Sequence, residues 1–347
     1  MRSFENKRSI AFVSIFMLTQ TLYACGGGGG GGSTIPAPTP MPSPTTTPCS
    51  GPCLLAEYQL PDISANPFGI TTGPDGNVWF TERLPTDNNI GRITPRGTIT
   101  EFKIPTANAD ALSITPGPDG NLWFTESNAK KIGRITPTGS ITEFAVPDFP
   151  SANIVEGPDH NLWFVGAGPS IDKMTTSGVV TKYPLTFTAG IGSITPGPDG
   201  NLWCLQLTGS MIVKMTTSGV ATYYDIPSSS YNSAIAAGPG GLWYTSFTDV
   251  CSGLICALTN SDTNMTTTSG VTTVFPISYW VQPEGIVAGP DGNLWFIGNE
   301  VMGKITPAGK ASLYSLGHAQ PMGLTVGSDG NLWFTDQFLG RIGKFRI

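Results

Sequence analysis

A phrase built on Gly-Pro-Asp-Gly-Asn-Leu-Trp-Phe recurs seven times along the 347-residue chain, and its tryptophans are Trp79, Trp123, Trp163, Trp203, Trp243, Trp295 and Trp333. Their separations are 44, 40, 40, 40, 52 and 38 residues. A unit of this length cannot bury a core alone, so the repeats must bury one another's faces. One unit reads as four short strands. "LSITPG" is the inner strand, "GPDGN" a tight turn, "NLWFTES" the second strand, "KIGRITPTG" the third with its turn, and "ITEFAVP" the outer one. Four strands in that span make a propeller blade, so the spacing predicts an all-β, seven-bladed β-propeller of four-stranded blades. With 44 Gly, 30 Pro and 12% charged residues, the chain has the turn-rich composition this requires.

The repeated phrase reads as scaffold. Asp119 caps its turn through the carboxylate and Gly120 supplies positive φ. The seven tryptophans wedge between adjacent blades. Each buries roughly 150–250 Å², which at about 25 cal/mol per Å² contributes about 4–6 kcal/mol as an upper bound. The Asp-Gly-Asn run lacks the alternating oxygen ligands and distal Glu of a calcium loop.

The ends of the repeat array predict how the ring closes. The last unit stops after its third strand, "RIGKFRI", while an orphan strand, "LLAEYQLP" (Leu54 to Pro61), precedes the first. Pairing of that N-terminal strand with the last blade removes both exposed edges.

The first residues read as an export address. Arg2, Lys7 and Arg8 precede a short apolar run from Ile10 to Leu18, too short to span a bilayer. "LYAC" (Leu22 to Cys25) resembles a bacterial lipobox, with residues 1–24 as the signal and Cys25 as the lipid-attachment site. Residues 25–53 form a Gly-rich and then Pro/Thr-rich tether, and residues 54–347 the propeller. The expected location is the bacterial cell envelope as a lipoprotein, at the outer membrane in a Gram-negative host because no Asp follows Cys25. Export favours two short-loop disulfides, Cys49–Cys53 and Cys251–Cys256, with Cys204 left as a buried thiol. The cysteine pairs lack zinc-knuckle partners, so no metal site is assigned to them. A net charge of −6 with no basic run excludes a nucleic-acid surface. A monomer is expected, reaching the membrane through its lipid anchor alone.

Turns within the uniform phrases ("GPDGN", "TPTG", "TTSG") lie on one face of a propeller. The blade-to-blade connections and the loops between second and third strands lie on the other, and here they vary. The fifth blade's insertion, "SFTDVCSGLICALTNSDTNM", falls on this variable face. Reading round the ring, the residues placed to line an axial funnel there are Phe68, Leu112, Ala152, Gly192, Ser233, Glu284 and Met322. The lining is small or apolar with one carboxylate, which suits an apolar or peptide-like ligand.

The units "GPDGNLWFTE" and "AKKIGRITPTGSITEF" (Ala129 to Phe144) resemble the streptogramin B lyase (virginiamycin B lyase) family, over essentially all of residues 54–347. The resemblance implies a magnesium-dependent site on the variable face that opens a cyclic depsipeptide by elimination, with a histidine base and carboxylates holding the metal. It also implies a Pro-His-Gly/Ala-Ile-like start to the last two blades. Here those blades begin "QPEGI" and "QPMGL", so the two histidine positions hold Glu284 and Met322. The matching carboxylate positions hold Gln320 and Gln337, and the first blade's aromatic hydroxyl position holds Phe68. Met322 cannot accept a proton and a Gln pair is a poor magnesium site. The expectation is therefore a binding module for a peptide, glycan or protein ligand, without cofactor or resident metal. The ligand-binding candidates are Phe68, Leu112, Ser233, Glu284, Gln320, Met322 and Gln337. The alternative is a divergent magnesium-dependent lyase, or a hydrolase, using Glu284 as base beside Glu300 or Asp336. A structural envelope protein is third.

Overall fold

The computed structural model describes residues 49–84, 88–166, 168–186, 190–229, 231–252, 255–277 and 281–347. The stretch read as a lipobox, with Cys25, and most of the segment read as a tether lie outside the described residues. Among those described, 28 strands form seven four-stranded antiparallel sheets. Blade one runs from Pro67 to Lys103, two from Ala111 to Ala145, three from Pro150 to Pro184 and four from Ile191 to Ser229. Blade five runs from Tyr231 to Ile277, six from Pro283 to Ser315, and seven from Pro321 to Arg346 together with Cys53–Gln59.

The ring closes as the orphan strand predicts. Cys53–Gln59 pairs antiparallel with Arg341–Arg346 as the fourth strand of blade seven. Its bounds are slightly earlier than the sequence suggests, because Leu60 to Ala65 already turn toward blade one. Tyr58 from this strand stacks on Trp333, centroids 5.6 Å apart, supplying the aromatic that every other blade carries on its own outer strand. Gly97, at φ +92° in a turn of blade one, sits against the Tyr58 ring where a Cβ would collide.

All seven tryptophans are fully buried and join clusters that span two blades; Trp163, for example, packs with Ile191, Ile194 and Leu202 of blade four. Their indole N–H groups explain the Asp of the repeated turn. Trp295 Nε1 donates to Asp291 Oδ1 at 3.0 Å, and the same bond recurs at Trp79, Trp123, Trp163, Trp203 and Trp333. Blade five reads "GPGG" and has no such Asp, so Trp243 donates to the Pro239 carbonyl instead. Asp119 also accepts from the Asn121 N–H, with Gly120 at φ +72°, as the turn reading requires.

The fifth blade's insertion is sheet rather than loop. Gly241–Ser252 and Ile255–Thr266 continue their pairing far beyond the other blades. Cys251 and Cys256 are register partners near its tip, but their side chains lie outside what is described. Cys49 and Cys53 are disulfide-bonded, and Cys204 is a buried free thiol.

Candidate functional site

Each first strand carries an irregularity in its pairing where the funnel residue sits, for example between Pro67 and Ile70, Pro283 and Gly285, and Pro321 and Leu324. A bulge lets a strand re-aim one side chain without losing the ladder beyond it. In blades six, seven and one the funnel residue is flanked as Pro-x-Gly, and the glycine decides the packing. A Cβ on Gly323 would strike the Phe68 carbonyl, one on Gly285 would lie 3.3 Å from the Met322 carbonyl, and one on Gly69 would lie 2.5 Å from that of Leu112. Glu284, Met322, Phe68 and Leu112 thus form one contiguous arc of neighbouring first strands.

Second-strand threonines lock this arc. The Gly323 N–H donates to Thr335 Oγ1 at 2.9 Å, and Thr335 Oγ1 donates to the Phe68 carbonyl at 2.8 Å. Thr81 repeats the relay from Gly69 to the Leu112 carbonyl, at 2.9 and 3.4 Å. Thr125 and Thr245 accept from Ser113 and Ala234 in the same way. The last bond places Ser233 at the equivalent point of blade five. Gly192 offers no side chain, and the side chain of Ala152 lies outside the described residues.

Electrostatics divide the arc in two. Burial pushes the Glu284 carboxyl above its ordinary value. Across the arc, the Arg83 guanidinium lies 4.6 Å over the Phe68 ring and its Nε bonds Asp110 Oδ1 at 2.9 Å. Asp110 and Asn66 hold φ at +53° and +52°, a left-handed conformation that Asp and Asn tolerate readily. Arg83 and Asp110 carry no repeat signature, and sequence reading missed both. The threonine relay was visible as the Thr of "WFT" but had no role until the blades were placed side by side.

Gln320 and Gln337 come together at the rim, the Gln337 N–H donating to the Gln320 carbonyl at 3.2 Å. Beside them Asp336 is fully buried, with Oδ1 taken by the N–H groups of Gln320 and Leu339. Its Oδ2 has no partner but is closed off from the funnel by that burial. Glu300 faces exposed His318 at 3.8 Å. Magnesium needs accessible hard oxygens in near-octahedral array. Two amides and an enclosed carboxylate do not fit it, and among the described residues no group of three His, Cys, Asp or Glu is placed to hold a metal.

The model of the virginiamycin B lyase family matches residues 52–189 and 195–347. The chain belongs to this family. A solved streptogramin B lyase is 30% identical, covering 85% of this chain and 98% of that one, with a TM-score of 0.75. The virginiamycin B lyase of Staphylococcus aureus is 31% identical over 84% of this chain and 98% of its own, at a TM-score of 0.74. A catalytically inactive variant of that enzyme, solved with quinupristin, matches equally well. The virginiamycin B lyase of Bacillus licheniformis is 44% identical over 45 residues, which span only 13% of this chain and 15% of that relative. Virginiamycin B lyase family membership accounts for the seven-bladed frame.

Proposed function

We propose that this propeller is an exported, lipid-anchored protein that binds a peptide-like ligand in the variable-face funnel without turning it over. The supporting observation is the arc itself: Phe68, Leu112 and Met322 are apolar positions on neighbouring first strands, and Glu284 adds one carboxyl that burial holds above its ordinary value. Met322 has no basic atom, and the donors beside it do not suit magnesium. The ligand class is a cyclic depsipeptide or a similar apolar peptide, as the quinupristin complex of the S. aureus relative suggests. The export half of the reading rests on Leu22 to Cys25 and the tether that follows.

The test is titration of the full chain with quinupristin, followed by chromatography with and without magnesium. Elimination leaves mass unchanged, so retention and dehydro-residue absorbance are the readouts. Saturable binding weakened by Phe68→Ala and Met322→Ala, with the ligand recovered intact, is the expected result. One observation favours a second reading, a divergent lyase: a buried carboxyl with a raised pKa is a better base at neutral pH. Ring-opened product that disappears in Glu284→Gln would establish it.

A further inference from the structure

The chain enters the propeller on the face opposite the funnel. Third strands run from the variable face to the uniform one, and Cys53 pairs with Arg346 at the far end of the third strand of blade seven. There Cys49 and Cys53 are disulfide-bonded, and Arg346 Nη1 donates to the Cys49 carbonyl at 2.9 Å. This clasp fixes the point where residues 1–48 join the domain.

The same face presents an exposed valine in each of blades three to five. Its third-to-fourth-strand turns share one frame, in which a Thr N–H donates to the carbonyl four residues on: Thr175 to Val179, Thr216 to Val220 and Thr267 to Val271. These three valines are 63%, 61% and 63% exposed. The equivalent residues of blades one, two and six are Thr98, Ser140 and Lys310. An exposed valine needs no explanation alone, but here the same turn position carries one in three successive blades. On the same face a shallow hollow of about 430 Å³ is lined by Pro116, Val155, Pro158 and Pro196 together with Thr115 and Glu156. Lys173 and Lys214, the cations of blades three and four here, face Asp159 and Asp199 at 3.5 and 3.6 Å. The surface therefore favours apolar contact over attraction to anionic groups.

We infer that the uniform face rests on the lipid surface, with Val179, Val220 and Val271 in contact with it and the funnel opening away from the membrane. This inference rests on the lipid-anchored reading. Residues 26–48 would reach at most roughly 80 Å when fully extended. Attachment through Cys25 therefore holds the bilayer at high effective concentration near the face where the tether joins, so a weak apolar contact suffices.

The test uses the full chain, lipidated in cells and reconstituted into phosphatidylcholine vesicles containing nitroxide-labelled lipid. A coumarin amino acid is placed by codon suppression at position 179, 220 or 271, or at Phe338 on the variable face, itself 61% exposed. Expected is several-fold stronger quenching at the three valine positions than at 338, insensitive to salt, and weakened at 220 by Val179→Ser with Val271→Ser. Equal quenching at 338, or none at any position, overturns the inference. So does a blue shift at 220 that follows protein concentration rather than lipid, which would assign the valines to a second copy. Mass spectrometry of the N-terminal peptide separates the two failures. Absence of acyl on Cys25 removes the anchored reading, whereas acylation without quenching removes only the orientation.

Discussion

Thr335 of the seventh blade donates its hydroxyl to the carbonyl of Phe68 in the first, 2.8 Å away and 267 residues distant in sequence. The same hydroxyl accepts from the Gly323 N–H, so one buried side chain joins the last blade to the first and holds the funnel arc in place.

Thr335→Val should therefore cost about 1–3 kcal/mol, because it strands a donor and an acceptor with no partner. Thr335→Ser keeps the hydroxyl and should lose much less. Urea denaturation measures both, and quinupristin titration should show Val weakening binding more than Ser.

Removing residues 49–59 should leave Arg341–Arg346 as an open edge and Trp333 without its Tyr58 stack. The expected outcome is aggregation or loss of the cooperative thermal transition of the whole ring. A truncated chain with an unchanged melting temperature would refute strand closure as the source of that cooperativity.

Acid should unfold the propeller through its repeated turns. Burial raises the Asp291 carboxyl, but hydrogen bonds from Trp295, Asn293 and Lys304 outweigh it and bring it to about 2. Asp119, Asp159, Asp199 and Asp329 are likewise held below their ordinary value. A folded pKa below the unfolded one gives stability that is present above the unfolded value and lost as pH falls through the folded one. For Asp291 that loss runs from the ordinary 3.8 down to about 2. Asp291→Asn should be less stable than the native chain near neutrality, with the gap closing across this window in denaturant titrations.

Glu126 predicts the opposite slope. It is fully buried and neither carboxylate oxygen has a partner. Burial, then the charge of Glu143, outweigh Lys131 and raise it from 4.5 to about 8. The folded state keeps a proton that the unfolded state has lost, so stability falls as pH rises from 4.5 to about 8. Glu126→Gln should flatten that decline, and urea midpoints measured across the window for both proteins decide it.

The period of the tryptophans, the turn phrase and the orphan strand determined the fold, because each is a local pattern whose only way to bury its apolar face is against a copy of itself. The strand in the fifth blade's insertion was not legible, since its pairing continues a ladder rather than following an apolar period. The site divides along the same line. Phe68, Glu284 and Met322 were named by their place in the repeat. Their contiguity was decided only by tertiary packing, where Gly285, Gly323 and Gly69 allow neighbouring first strands to touch and Thr335 and Thr81 bond across them. Arg83 over Phe68, pinned by Asp110, belongs wholly to that level. Charges that meet across a blade boundary leave no periodic trace in the chain, because the distance that makes them interact exists only once the ring has closed.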